Sequence, residues 1–181
     1  AGVAAASTPA AALRGAQLVL SLVTADQALP AARDYACLLE PDAIWCDMNS
    51  VAPRTKRTAA EAIEATGGRY VDVAVMAPVA PAALDVPLLL AGLHAEEAMA
   101  RLAGLGFAKG RVVGDEIGRA SAIKMIRSVM VKGIEALTDE MMAAAEAAGV
   151  ADEVLASLDA SEKAQGWGER TVYNRERMAV H

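Results

Sequence analysis

Three side chains in the second half of the sequence share one side of a helix. Ser121, Lys124 and Ser128 stand at i−3, i and i+4 in a proline-free stretch from Gly118 to Ala148, and residues three or four apart lie on one helical face. A lysine can move a proton once burial or a nearby positive charge favours its neutral form. Ser128, one turn further on, is placed to hold the amine or a substrate hydroxyl. Arg127 is one position off that face and can reach an acid group, although an arginine there is ordinarily a surface or salt-bridge residue. Ile123, Ile126 and Met130 are expected to point toward packing, and Lys132 and Glu135 to form a solvated pair or an interdomain contact. Earlier in the chain, Asn49 and Ser50 follow a short apolar run and precede Pro53. Either can cap the helix that begins there.

The elements that must position these groups are legible as alternating apolar runs and helical patterns. Strands are predicted over 16–23, 43–47, 69–75, 86–91 and 110–113. Helices are predicted over 28–39, from Asn49 or Ser50 to about Thr66, and over 95–105, with His94 at the opening of the last. Such alternation implies βαβ units and an open α/β sheet. From Gly118 to Ala148 the pattern changes to one long helix, about 45 Å at the usual rise. That is too long for one layer of a small α/β unit, so it is expected to found a helical second domain with helices over 151–158 and 172–180. The expected division is residues 1–117 and 118–181, with Lys124 at the seam, where a cleft is expected.

Four blocks occur in order: CDMNSVAP (46–53), YVDVAVMAPVAPAA (70–83) leading to PLLLAG, GDEIGRASAIK (114–124), and the helix that continues from Lys124. This order resembles the β-hydroxyacid dehydrogenase family, which includes 3-hydroxyisobutyrate and 6-phosphogluconate dehydrogenases. The stretch KMIRSVMVKGIEAL most resembles an uncharacterised, phosphogluconate-dehydrogenase-like branch. The resemblance implies a Rossmann-type domain, a long interdomain helix and an all-helical C-terminal domain. It implies hydride transfer between NAD or NADP and a small hydroxy acid or a phosphorylated relative. It puts the conserved lysine on Lys124, the substrate-binding serine on Ser50, and the loop for the substrate acid group on Val79, Ala80 and Pro81. Leu22, Val23 and Thr24, after the first strand, and Asn49 would touch the cofactor. The usual amide four positions after the lysine is here Ser128, and the usual Ser-Gly-Gly loop is Ala80, Pro81 and Ala82. An imine or ketone reductase on the same scaffold, or a non-catalytic helical dimerisation module, are the competing readings.

No G-x-G-x-x-G is present. That loop would bind the pyrophosphate at a helix N-terminus. The first strand, helix and second strand are therefore expected upstream of Ala1, and the fragment by itself is expected to be inactive. The net charge of −6 and the lack of a basic stripe argue against nucleic acid. The most apolar window, Val73 to Leu93, contains Pro78, Pro81, Pro87 and Asp85, which suit a spanning helix poorly. Cys37 and Cys46 form no metal or disulfide framework and read as reduced, buried thiols of a cytoplasmic protein. The Ala- and Met-rich long helix suggests a homodimer.

Overall fold

The computed structural model describes residues 3–161 and 166–178. They form two compact units that divide between Met130 and Val131. The division falls inside the long helix rather than before it at 117/118. The reason is packing: the first turns of that helix bury Ala120 and Ser121 in the first unit.

The first unit opens with α1 (Pro9–Leu13), capped by the Thr8 hydroxyl, which accepts from the Ala11 N–H. A five-stranded sheet follows in the order β1 (Leu18–Ser21), β2 (Ile44–Asp47), β3 (Arg69–Val75), β4 (Leu88–Ala91) and β5 (Gly110–Val112). Helices α2 (Ala28–Tyr35), α3 (Pro53–Glu64) and α4 (Ala95–Gly104) make the crossovers β1–β2, β2–β3 and β4–β5, and those pairs are parallel. β3 and β4 pair antiparallel. No crossover helix separates them, only a loop with one short turn at Ala83–Asp85, and a parallel pair would need such a crossover. The predicted strands are present in shorter form, and the predicted helix over 28–39 ends in a single 3-10 turn at Ala36–Leu38.

Alternation along the strands sorts the core into two layers. Ile44, Cys46, Val71, Val73, Leu88 and Leu90 pack with Ala95, Ala98 and Leu102 of α4. Trp45 and Tyr70 face the other way, toward Ala32 of α2 and Ala59, Ala60 and Ile63 of α3. On that second face the start of α5 (Arg119–Ala148) brings Ala120 against Ala74, Leu89 and Ala91. Truncating Ile63, which is fully buried, would cost about 2–5 kcal/mol.

Three expectations are corrected here. Ala52, not Asn49 or Ser50, is the N-cap of α3, and it makes no side-chain cap bond; Pro53 at the first helical position lacks one of the donors a cap would serve. Cys37 is exposed, and only Cys46 is buried. Ile126 and Met130 are exposed, at 74 % and 48 %.

The second unit holds the remainder of α5, then α6 (Ala151–Ser161) and α7 (Trp167–Met178). Gly149, at φ +70°, ends α5. The Val150 N–H donates to the Ala145 carbonyl and that of Gly149 to Glu146, the left-handed stop that glycine permits. α6 extends past its predicted end and α7 begins earlier than expected; the predicted end of the last helix, Val180, lies outside the described residues. Lys132 and Glu135 are both exposed. Among the described residues no helix is long and apolar enough to cross a membrane.

Candidate active site

The parallel register aligns Ser21, Asp47 and Asp72 across β1, β2 and β3, and all three are buried. This polar row lies on the face covered by α3 and the start of α5. The sheet-facing side of α3 is Lys56, Ala59, Ala60 and Ile63, so the helical stripe that is apolar for two turns begins with an ammonium. Lys56 is fully buried. Its Nζ lies 3.0 Å from Asp47 Oδ1 and 3.5 Å from Asp72 Oδ1, and it donates to the Asp47 carbonyl at 2.6 Å. The Tyr70 hydroxyl donates to Asp47 Oδ2 at 2.6 Å. Buried charges persist only when paired and hydrogen-bonded, and these are.

Two arms leave this cluster. Asn49 donates from its backbone and side chain to Asp47 Oδ1 and from Nδ2 to Ser21 Oγ. Its Oδ1 accepts the Val23 N–H at 2.8 Å, which fixes the loop after β1. Asp72 accepts the backbone N–H and the hydroxyl of Ser121 at 3.0 and 2.6 Å, which fixes the first turn of α5. The charge also marks its neighbours. Burial, and next the adjacent Asp47 carboxylate, push the Tyr70 hydroxyl far above its ordinary range. Burial lifts the Cys46 thiol to about 12, so it is no nucleophile.

Lys124 is half-buried one turn after Ser121. Its Nζ donates to Ser50 Oγ at 2.7 Å. Desolvation, and then the positive charge of Lys56, lower its pKa below the ordinary lysine value. The Ser128 hydroxyl donates to the Lys124 carbonyl at 2.8 Å. Arg127 is exposed. Val79, Ala80 and Pro81 are exposed in the loop after β3, with a cis bond between Ala80 and Pro81. Leu22, Val23 and Thr24 are exposed after β1. The loops after β1, β2 and β3 all leave the carboxyl edge of the parallel strands, where ligands of open α/β sheets bind.

The model of the NAD binding domain of 6-phosphogluconate dehydrogenase matches residues 1–103. The chain belongs to this family. Solved structures similar to this chain include a conserved hypothetical protein from Sinorhizobium meliloti. It is 43% identical with a TM-score of 0.72, over 87% of this chain and 52% of that one. A conserved protein of unknown function, described as structurally similar to 3-hydroxyacid dehydrogenases, is 38% identical with a TM-score of 0.68, over 79% of this chain and 53% of its own. The 3-hydroxyisobutyrate dehydrogenase of Mycobacterium tuberculosis shares the fold at 19% identity and a TM-score of 0.74, over 92% and 58%. The chain thus spans about half the length of these relatives. The family resemblance and the Rossmann-type fold read from the four blocks both stand.

The family's defining ligand is a nicotinamide dinucleotide, and the residues present fit part of one. Leu22 and Val23, 67% and 41% exposed, are apolar groups in the loop that the Asn49 amide holds through the Val23 N–H. The chain has no glycine-rich turn to cradle a diphosphate. Sequence reasoning missed Lys56 and Asp72. The available signals were a lysine in register with Ala59, Ala60 and Ile63, and an aspartate inside the apolar run YVDVAV.

Proposed function

We propose that this chain is the part of an NAD(P)-dependent oxidoreductase that carries its proton-transfer residue, Lys124. The substrate class is a small hydroxy acid or a phosphorylated relative. The observation that carries the reading is the 2.7 Å bond from the half-buried Lys124 amine to Ser50, at the carboxyl edge of the sheet in an NAD-binding family. A bound nicotinamide supplies hydride transfer at carbon.

In the oxidation direction the neutral Lys124 amine takes the proton of the substrate hydroxyl. In reduction its ammonium returns that proton to the carbonyl oxygen. Ser50, already bonded to Nζ, orients the amine and offers its hydroxyl to the substrate. The loop of Val79, Ala80 and Pro81 faces the acid group, and Arg127 adds a cation for it. Ser128 supports the helix under Lys124 by its bond to the Lys124 carbonyl. Asn49 and the Leu22–Thr24 loop carry the nicotinamide side. The phosphate preference, NAD or NADP, belongs to segments outside these groups. We further propose that the protein is a cytoplasmic homodimer.

The test uses the full-length protein. NADH and NADPH are titrated by fluorescence, and hydroxy acids are then screened for turnover. Lys124→Ala is expected to keep dinucleotide binding and to lose about 10²-fold or more of turnover. A variant with undiminished turnover would overturn the role of Lys124. Turnover of cyclic imines or ketones, with none of hydroxy acids, would move the protein to the imine reductase reading.

A further inference from the structure

The lysine of α3 is the feature that the proposed chemistry leaves unexplained. A buried ion pair is rarely needed for stability, since apolar residues of similar volume commonly serve as well or better. Lys56 stands where the pattern Ala59, Ala60, Ile63 asks for an apolar side chain, and its charge is answered by two carboxylates on two strands. Each carboxylate then leads to a different wall of the site. Asp47 holds Asn49, which holds Ser21 and the Val23 N–H. Asp72 holds the backbone and hydroxyl of Ser121, three residues before Lys124.

We propose that Lys56 is a positioning residue for Lys124. Its buried ammonium clamps Asp47 and Asp72, so that the loop after β1, the loop after β2 and the first turn of α5 are held as one unit. The same charge disfavours a second ammonium nearby, so Lys56 also holds Lys124 ready to be neutral. This rests on the reading of Lys124 as the proton carrier.

The charged and titratable groups of the surrounding elements include Lys56 and Arg57 of α3, Asp47 of β2, and Tyr70 and Asp72 of β3, with Arg119 and Arg127 on α5 itself. The Lys56 charge adds to the effect of burial on Lys124. Asp47, Asp72 and Tyr70 are engaged with Lys56, Asn49 and Ser121.

The test reads the Lys124 amine directly. Full-length protein is reductively methylated with ¹³C-formaldehyde, and the Lys124 resonance is assigned by its loss in Lys124→Ala and titrated by NMR. In the wild type it is expected to titrate below the ordinary lysine value of about 10.4. Lys56→Gln is expected to raise it, and the acidic limb of the kcat/KM profile for oxidation moves to higher pH with it. Lys56→Arg keeps the charge and is expected to keep the low titration and most of kcat. If circular dichroism shows Lys56→Gln unfolded, Lys56→Gln/Asp47→Asn replaces it. That pair removes one charge of each sign but leaves Asp72 without its ammonium, bonded to the turn that carries Lys124, so Lys124 is again expected to rise.

A wild-type Lys124 with the titration of a free lysine overturns the inference. So does a folded Lys56→Gln or double variant in which the Lys124 titration has not moved. Retained turnover in Lys124→Ala would instead sink the proposed function alone, because the titration does not depend on turnover.

Discussion

A free surface lysine near neutral pH is an ammonium and cannot accept a proton. Lys124 departs from that state through partial burial and the charge of Lys56. The sign of the resulting pH dependence follows. Oxidation needs the neutral amine, so kcat/KM for the alcohol falls as pH drops through the Lys124 pKa. Reduction needs the ammonium, so its rate falls as pH rises through the same value. Both limbs are expected below the ordinary lysine range, and rate profiles run in the two directions check it. An oxidation limb at an unshifted lysine value would contradict it. Ser50→Ala removes the acceptor of the Lys124 amine. With this bond partly solvent-exposed, a loss of about tenfold in kcat/KM is expected, near 1.4 kcal/mol. Steady-state kinetics with an unchanged value would remove Ser50 from the site. The sequence singles out Lys124 because helical spacing and the four ordered blocks converge on it, and the structure brings it to Ser50. Lys56 and Asp72 are not singled out, because each looks ordinary alone: one is a lysine in a helix, the other an aspartate in a strand. Their meaning comes from the register that stacks Asp47 beside Asp72.

The first turns of α5 must pack closely on α3 for Lys124 to meet Ser50, and Gly118 permits the approach. Its φ is +96°, and an added Cβ would lie 2.9 Å from the Arg57 guanidinium, 3.0 Å from Pro53 Cβ and 3.1 Å from the Pro53 carbonyl oxygen. An L side chain there meets both an unfavourable backbone region and a backbone neighbour that cannot swing aside. Gly118→Ala is expected to destabilise by about 1–3 kcal/mol. A thermal melt should show Tm lowered by about 2 °C or more, and an unchanged Tm would show that α5 tolerates displacement. Strand positions were readable from apolar runs, but the antiparallel direction of β4 was not stated by them. It follows from the missing helix between Val75 and Leu88, a feature of connectivity rather than of residue type. The cap of α3 was misplaced for a related reason. Asn49 is a good capping residue, but its side chain is taken by Asp47, Ser21 and Val23, contacts between segments far apart in sequence.

Much of α5 is apolar where it meets solvent. Ile126 and Val129 are 74% and 76% exposed in the first unit, and Leu137 is 68% exposed in the second. Ile126 and Val129, three residues apart, lie on one helical side. The periodicity that revealed the helix could not separate a stripe that packs inside its own chain from one that packs elsewhere, which is why Ile126 and Met130 were expected to be covered. Monomeric proteins rarely leave a large contiguous apolar surface in water. The chain also spans about half the length of its relatives. The proposed dimer and the rest of the full-length chain are therefore two candidates for the cover, and they can be told apart. Light scattering after size exclusion, on the full-length protein at ~10 μM, is expected to give twice the monomer mass. Leu137→Glu, remote in sequence from Lys124 and Ser50, is expected to halve that mass, because a carboxylate buried in an apolar interface lacks a partner. NADH binding should persist in that variant. A monomeric wild type would remove the homodimer and assign the stripe to other parts of the same chain. In that case Leu137→Glu would lower Tm without changing the mass.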